Sequence, residues 1–364
     1  MKKKIQKYFC MLFILGISSE VFTSCGDKNP VLVQNANVYV VGTEEINGEN
    51  FITLWKNGTA QRFSIGTNVI VISSVTMSDN GDVYATGTEN INGVGTATLW
   101  KNGVAQRLGE SNNQITSVSL SGNDVYVVAS GKLWKNGVVQ NLNLNPDGFL
   151  YNVCVTENNV YTAGTTSNTE ALYPLENAEI FVQYYTTIWE NGIAQNLTDG
   201  IDDIISDYIN EYSNDWTVSY NYKIYCEPFP SCVYVSGNNV YVAGAVFFDA
   251  SDYASLIWEN GKMKYRLEGG GTPFSIYVSG DNVYVVGYKS DSSLVNRAIL
   301  WVNGSATSLS NNTSNTQYVY VSDNKVYVAG SESVNGNMVA TLWVNGVVQH
   351  LTENEGSAYY VCVK

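Results

Sequence analysis

The chain has 364 residues, of which 45% are hydrophobic and 14% charged, a composition typical of a folded protein and not of a disordered one. Its formal net charge is -14, and no cluster of Lys and Arg occurs beyond the extreme N-terminus. We therefore exclude nucleic acid as a partner, because a phosphate backbone is bound by clustered basic side chains. The single histidine, His350, excludes multi-histidine metal sites, and we expect neither a metal nor a cofactor.

Residues 1–24 predict a secretory signal peptide. Lysines at positions 2–4 precede an apolar run that is too short to span a membrane. Residues 22–25, Phe-Thr-Ser-Cys, resemble a lipobox, in which the chain is cut before the cysteine and the cysteine, here Cys25, is lipidated. Phe22 stands where Leu is usual. We expect an exported, membrane-anchored lipoprotein of the outer membrane or cell surface. Its N-terminal lipid would be its only membrane contact, with residues 25–30 as the tether.

We predict different roles for the two pairs of cysteines beyond the tether. Export permits disulfides, and Cys226 and Cys232 enclose a short segment, so we predict that these two form one. Cys154 and Cys362 occupy equivalent positions of a repeated strand. We expect these two to be small buried core residues.

An internal repeat dominates the rest of the chain. The tetrapeptide Trp-x-Asn-Gly occurs seven times, each time downstream of a Val-Tyr dipeptide. Its tryptophans are Trp55, Trp100, Trp134, Trp189, Trp258, Trp301 and Trp343. One complete unit predicts four short strands, which we call A (276–279), B (283–287), C (298–302) and D (305–309). Asn-Gly between strands C and D is a strong hairpin signal, because a type I′ turn requires positive φ at both central residues.

Four strands repeated about every 43 residues, with no helix between units, are typical of β-propeller blades. We predict an all-β, seven-bladed propeller over residues 31–364, with four antiparallel strands in each blade. Residues 358–364 form an A strand that nothing follows, whereas the first unit starts at its B strand. We therefore expect the C-terminal strand to close blade 1 and remove an open sheet edge, although residues 31–33 are an alternative A strand.

The A–turn–B segment Tyr-Val-Ser-Gly-Asn-Asn-Val-Tyr-Val-Ala-Gly at residues 234–244 resembles that of seven-bladed YVTN/NHL-type propellers. Val-Tyr-Val-Ala-Gly followed by Leu-Trp-Lys-Asn-Gly is also similar to the repeats of Bacteroidota-type lipoproteins. The resemblance covers about residues 31–364 and implies the propeller fold. It implies no catalytic residue, because propellers serve as binding, enzymatic and scaffold proteins alike.

Two insertions interrupt the repeat, at residues 165–187 within the fourth unit and at residues 198–231 before the fifth. Apolar residues from Ile201 to Tyr212 recur at helical spacing, so we predict one short helix in the 198–231 insertion. B–C and D–A connections of an up-and-down blade emerge on the same face, so we expect both insertions there. The A–B and C–D turns would form the opposite, plain face, which the short tether places toward the membrane.

The two insertions contain most of the tyrosines that the repeat does not explain, and long loops on a rigid scaffold often carry function. Aromatic rings stack on sugars or anchor protein interfaces. We therefore predict a non-catalytic surface protein that binds a glycan or a protein above blades 4 and 5. The predicted ligand-binding residues are Tyr173, Tyr184, Tyr185, Trp216, Tyr220, Tyr222, Phe248 and Tyr253.

Two alternatives remain open at this point. A polysaccharide-cleaving enzyme would use two loop carboxylates about 5–10 Å apart. The candidates for such a pair are Glu176, Glu179, Asp202, Asp203, Asp207, Asp249 and Asp252. In a structural or assembly subunit, the loop aromatics would only pack the insertions onto the propeller.

Overall fold

The computed structural model describes residues 36–110, 117–129, 131–140, 149–167, 173–175, 178–182, 184–197, 200, 224–247, 253–291, 293 and 295–364. Within these residues every regular element is a β-strand, and none forms a helix that could cross a membrane. The predicted signal peptide, the tether, the alternative strand at 31–33 and the predicted helix at 201–212 lie outside the described residues.

The strands are numbered in chain order. The first thirteen are β1 (Val38–Ile46), β2 (Glu49–Lys56), β3 (Thr59–Gly66), β4 (Val69–Met77), β5 (Val83–Ile91), β6 (Val94–Lys101), β7 (Val104–Glu110), β8 (Ser117–Ser121), β9 (Asp124–Ala129), β10 (Lys132–Lys135), β11 (Val138–Gln140), β12 (Phe149–Val155) and β13 (Val160–Ser167). The next eight are β14 (Tyr173–Leu175), β15 (Ala178–Val182), β16 (Tyr184–Glu190), β17 (Ile193–Asn196), β18 (Ile224–Ser236), β19 (Asn239–Phe247), β20 (Tyr253–Glu259) and β21 (Lys262–Arg266). The last eight are β22 (Thr272–Ser279), β23 (Asn282–Ser290), β24 (Asn296–Val302), β25 (Ser305–Ser308), β26 (Ser314–Ser322), β27 (Lys325–Val334), β28 (Asn337–Val344) and β29 (Val347–Val363).

These strands form antiparallel four-stranded units. Four sheets consist of one unit each, with the orders β4-β5-β6-β7, β8-β9-β10-β11, β12-β13-β16-β17 and β22-β23-β24-β25. A further sheet adds the hairpin β14-β15 to the unit β18-β19-β20-β21, and the largest runs β26-β27-β28-β29-β1-β2-β3. This repetition of four-stranded antiparallel sheets is the architecture of a β-propeller, as the sequence predicts.

The two ends of the described chain meet in the seven-stranded sheet. β29 begins beside β28, where Val347 pairs with Val344, and ends beside β1, where Val363 pairs with Val38. The backbones of Asn37 and Lys364 exchange two further hydrogen bonds of 2.8 and 3.0 Å. The predicted closure by the C-terminal strand is confirmed, and β1 is therefore paired on both sides.

The Asn-Gly turns lock the hairpin between the third and fourth strands of each unit. In all seven copies the Asn has a φ between 48° and 51°. The Asn303 side chain adds two hydrogen bonds, because its Oδ1 accepts from the Val283 amide at 2.9 Å and its Nδ2 donates to Asn282 Oδ1 at 2.8 Å. The contact from a Val amide to the Asn Oδ1 recurs in every copy. Asn therefore supplies both the turn conformation and a link to the second strand.

The repeated tryptophans form the core between neighbouring units. Six of the seven are no more than 1% exposed, and Trp134 is half-buried. Trp343, for example, clusters with Val286 and Ala298 of the preceding unit, and Trp301 clusters with Ile257. Trp100 and Trp189 occupy similar clusters, so large aromatic side chains pack between neighbouring sheets at these junctions.

A β-bulge recurs in the first strand of the units. At each of these bulges the ladder register skips one residue, namely Ser73, Tyr151, Ser231, Phe274, Gln317 or Tyr359. The residue facing the bulge on the second strand is the glycine that follows Val-Tyr in the repeat. A Cβ on Gly287 would lie 1.9 Å from the Thr272 carbonyl oxygen. The units with this bulge need glycine here, because the bulged strand approaches too closely for any side chain.

Replacing that glycine should destabilise the protein. Gly287→Ala should lower the free energy of unfolding by about 3 kcal/mol, because the new methyl group overlaps a backbone oxygen that cannot rotate away. Ala129, which occupies the glycine position of the third unit, provides the control: Ala129→Gly should cost about 1 kcal/mol or less. Urea denaturation measures both, and equal stability of Gly287→Ala and the unmodified protein would contradict the close approach.

Candidate functional site

The first strands of the units surround a cavity of about 1310 Å³. Its wall contains residues of β4, β8, β12, β18, β22, β26 and the end of β29. This volume exceeds the roughly 300–1,000 Å³ of small-molecule sites, so the cavity has room for an extended ligand.

All six described bulge residues belong to the cavity wall. A bulge changes the direction in which a side chain leaves its strand, and bulges are over-represented next to functional sites. The order around the cavity, starting at the end of β29, is Tyr359, Ser73, Tyr151, Ser231, Phe274 and Gln317, with the equivalent residue of the third unit outside the described residues. Aromatic and polar side chains therefore alternate between neighbouring described positions of this bulge ring.

Tyrosines of β18, β22, β26 and β29, here called the tyrosine arc, contact one another in two groups, and Tyr234, Tyr318 and Tyr360 of this arc line the cavity. The rings of Tyr234, Tyr277 and Tyr320 follow one another from β18 to β26, with centroids 4.9 and 5.2 Å apart. The Tyr318 and Tyr360 rings form the second group, between β26 and β29, with centroids 4.8 Å apart. Burial raises the pKa of Tyr234, Tyr318 and Tyr360 above its usual range. These phenols therefore stay neutral at physiological pH.

The opposite side of the wall has small polar residues at the equivalent places. Thr76 and Ser119 stand where the tyrosine arc has Tyr277 and Tyr320. The hydroxyl of Ser119 accepts a hydrogen bond from the Val155 amide of the next unit at 3.2 Å. Similar contacts join Ser74 to Val118, Ser117 to Val153 and Ser275 to Val319. Several wall hydroxyls thus connect neighbouring sheets as well as facing the cavity.

Charge is confined to one end of the cavity. Among the described wall residues, Asp79, Asp82 and Lys101 are the only acidic or basic amino acids, and they lie at or beside the β4–β5 turn. Asp82 and Lys101 form an ion pair at 2.8 Å. The hydrogen bond from Lys101 lowers the pKa of Asp82. The remaining wall offers aromatic faces, hydroxyls and amides, which suit an uncharged ligand.

The structure places only part of the predicted aromatic site. Tyr173 lies in β14, Tyr184 and Tyr185 open β16, and Tyr253 opens β20; their backbones alone are described. Trp216, Tyr220, Tyr222, Phe248 and Cys25 lie outside the described residues. Among the alternative catalytic carboxylates, only Glu179 falls on a described strand, β15. The predicted set therefore remains a prediction.

The two insertions contain strands and join each other. The first insertion includes β14, β15 and the start of β16, and the second ends in β18 instead of extending as a loop to residue 231. β15 pairs in parallel with β18, with Ile180 opposite Ile224. The B–C connection of the fourth unit is thus hydrogen-bonded to the connection that leads into the fifth.

The predicted Cys226–Cys232 disulfide is not present. Cys232 is a free, buried cysteine, and both residues belong to the same strand, β18. Six residues of strand span about 20 Å, whereas the Cα atoms of a disulfide lie within about 7 Å. The short spacing in the sequence was misleading because the intervening Glu-Pro-Phe-Pro-Ser segment continues a ladder instead of forming a turn.

The other two cysteines match their prediction in part. Cys362 is buried, as expected, whereas Cys154 is half-buried and lines the cavity. Burial raises the pKa of Cys154 to about 11 and that of Cys232 to about 12. Both thiols are therefore protonated at neutral pH and are poor nucleophiles.

The single histidine takes part in a structural hydrogen bond. His350 Nε2 lies 2.8 Å from Glu332 Oε2, and Ser310 donates a hydrogen bond to Glu332 Oε1. In a catalytic triad the histidine lies between the serine and the acid. Here the carboxylate lies between Ser310 and His350, so the serine has no base and the arrangement does not activate it.

Glu332 has buried counterparts at the same repeat position in the first two units, Glu44 and Glu89. Glu44 is 1% exposed and accepts hydrogen bonds from Arg62 at 2.7 and 3.0 Å. It also accepts from Thr352 at 2.6 Å and from Asn354 at 3.1 Å, and thereby joins β1 to β29. Glu89 pairs in the same way with Arg107 at 3.5 Å. These repeated pairs stabilise the sheets, and Glu44 stabilises the closure in particular.

The bulge ring was missed in the sequence because its strands read as repeat structure. One signal was available. In successive units the position before Cys232, Ser275 and Tyr318 holds Ser231, Phe274 and Gln317, whereas the nearby valines and glycines scarcely change. Chemical variety at one position of an otherwise regular repeat indicates a surface that the scaffold does not determine.

The loss of stability in acid should reveal the contribution of the Glu44 cluster, which consists of Glu44 and its hydrogen-bond donors. Burial raises the pKa of Glu44, but the hydrogen bonds from Arg62, Thr352, Asn354 and Thr53 outweigh it and lower the value from 4.5 to about 2. The stabilisation is therefore complete above pH 4.5 and is lost as pH falls toward 2. Glu44→Gln should cost about 2 kcal/mol at neutral pH and less near pH 3.

Exposed Glu45 supplies the control for this prediction, because Glu45→Gln changes the same charge beside the cluster. Urea unfolding at both pH values measures the difference. A Glu44→Gln penalty that is the same at pH 7 and pH 3 would contradict the ionised, hydrogen-bonded carboxylate.

Comparisons with known proteins find β-propeller folds and give no information on function. No family model matches the chain, and no curated protein matches it. The β-propeller domain of the trilobed protease from Pyrococcus furiosus is similar over 88% of this chain and 92% of its own, with 10% identity and a TM-score of 0.47. BamB from Moraxella catarrhalis is similar over 88% of this chain and 91% of its own, with 10% identity and a TM-score of 0.40. At these identities and scores the likenesses carry no functional argument.

Proposed function

We propose that this chain is a non-catalytic, exported binding protein that holds its ligand in the central cavity of a seven-bladed propeller. The ring of bulges carries the proposal, because six strands of different units each place a bulge residue in the wall of the same cavity. A scaffold role alone would not require aromatic and polar side chains to alternate there.

The blade number is supported by the seven-stranded sheet. Its order β26-β27-β28-β29-β1-β2-β3 divides into two four-stranded blades if β29 belongs to both, first beside β28 and then beside β1. With the other five units this gives one blade for each Trp-x-Asn-Gly copy.

The cellular setting rests on the N-terminal sequence. The basic residues at 2–4, the apolar run and the lipobox-like residues 22–25 support an exported lipoprotein anchored through Cys25. The ligand is a glycan or a protein, and the insertion aromatics would extend the binding surface above blades 4 and 5. The pairing of β15 with β18 supports this extension, because it holds the two insertions together.

Filling the cavity should abolish binding without unfolding the protein. We expect Ser231→Trp to abolish retention of ligand on immobilised panels of glycans and proteins, because the indole would occupy the space between Tyr151 and Phe274. Ser305→Trp adds the same side chain at an exposed strand start and should bind normally. Melting temperatures confirm folding, and chromatography of the recovered ligand tests for cleavage.

Two outcomes would contradict the proposal. Equal binding by Ser231→Trp and Ser305→Trp would show that the ligand does not bind in the cavity. Cleaved ligand would favour the polysaccharide-cleaving alternative, in which loop carboxylates act as acid and base.

A further inference from the structure

The chemistry of the bulge ring narrows the ligand class. Its aromatic members are Tyr359, Tyr151 and Phe274, and its polar members are Ser73, Ser231 and Gln317. A pyranose ring has apolar C–H faces and an equatorial belt of hydroxyls, each of which both donates and accepts. Aromatic faces alternating with hydroxyl and amide groups match both parts of such a ring.

Two of the aromatic side chains are held in place by contacts on their outer sides. The Phe274 ring packs against Tyr288, with centroids 5.6 Å apart. The Tyr359 side chain hydrogen-bonds to Thr43. Side chains fixed before the ligand arrives lose little entropy on binding, which favours affinity.

The electrostatics favour an uncharged sugar. The described members of the bulge ring include no Asp, Glu, His, Lys or Arg, and burial raises the pKa of Tyr359 in the ring and of Tyr318 and Tyr360 beside it, so these phenols are neutral. The protein as a whole has a formal charge of -14, which opposes the approach of a polyanion such as a uronic-acid or sulfated glycan.

From this geometry we propose that the bulge ring binds an uncharged oligosaccharide. Sugar rings stack on Tyr359, Tyr151 and Phe274, and Gln317, Ser73 and Ser231 hydrogen-bond to sugar hydroxyls. The inference rests on the proposed binding function and adds the ligand class and its contacts.

The test is calorimetric titration of the full mature chain with a panel of uncharged gluco-, manno- and galacto-oligosaccharides. Oligogalacturonate and a mixture of peptides serve as charged and non-sugar probes. At least one uncharged oligosaccharide should bind saturably. Phe274→Ala should weaken that binding about tenfold and Gln317→Ala about fivefold, whereas Phe274→Tyr should restore the stacking face. Melting temperatures identify any variant that fails to fold, and Phe274→Leu then replaces Phe274→Ala.

A second pair of variants separates this site from the insertions. Trp216→Ala and Tyr220→Ala should weaken oligosaccharide binding less than Phe274→Ala does, because the insertion aromatics only extend the binding surface. If they abolish it while Phe274→Ala does not, the bulge ring is not the sugar site.

The remaining outcomes separate the inference from the proposed function. Binding of a peptide or of oligogalacturonate that Ser231→Trp abolishes, without binding of any uncharged sugar, would overturn the saccharide inference and leave the cavity function intact. Absence of binding to every probe would overturn the saccharide inference, and the glycan and protein panels with Ser231→Trp would then decide the function separately.

Discussion

One steric constraint connects the repeat to the cavity. The glycine after Val-Tyr lies so close to a carbonyl oxygen of the first strand that a Cβ would come within 1.9 to 2.1 Å of it at Gly42, Gly87, Gly164, Gly287 and Gly330. The space left by the missing side chain lets the first strand bulge, and the bulge residue lies in the cavity wall. The same glycine thus permits the strand pairing and shapes the cavity wall.

The sequence predicted the repeated strands, the Asn-Gly turns and the closing strand because each depends on local patterns or on simple counting. It did not predict the bulges, since a register shift such as that between Pro273 and Ser275 depends on how two strands pair and not on either strand alone. The parallel pairing of Ile180 with Ile224 was hidden for the same reason. The candidate site was consequently sought in the insertions, where unexplained aromatics were visible, and the wall tyrosines were counted as repeat structure.

Buried charged groups stabilise the sheets, whereas the central cavity wall consists of neutral groups. Glu44, Glu89 and Glu332 are buried in the three units that surround the chain closure, and each has a basic partner. A buried carboxylate without such a partner would cost several kcal/mol, so these pairs have to be complete for the sheets to form. The cavity wall avoids this requirement, because its central part relies on neutral hydroxyl, amide and aromatic groups. An acidic protein can therefore contain an uncharged site.

The division between constant and variable positions explains how such a site could be adapted. Valines, tryptophans and glycines of the repeat make contacts inside or between sheets, and changing one of them disturbs packing. The ladder register skips a bulge residue, so its side chain can change from the hydroxyl of Ser231 to the ring of Phe274 without altering the strand pairing around it. The chemistry of the cavity wall can thus change at one position in each unit while the scaffold stays the same.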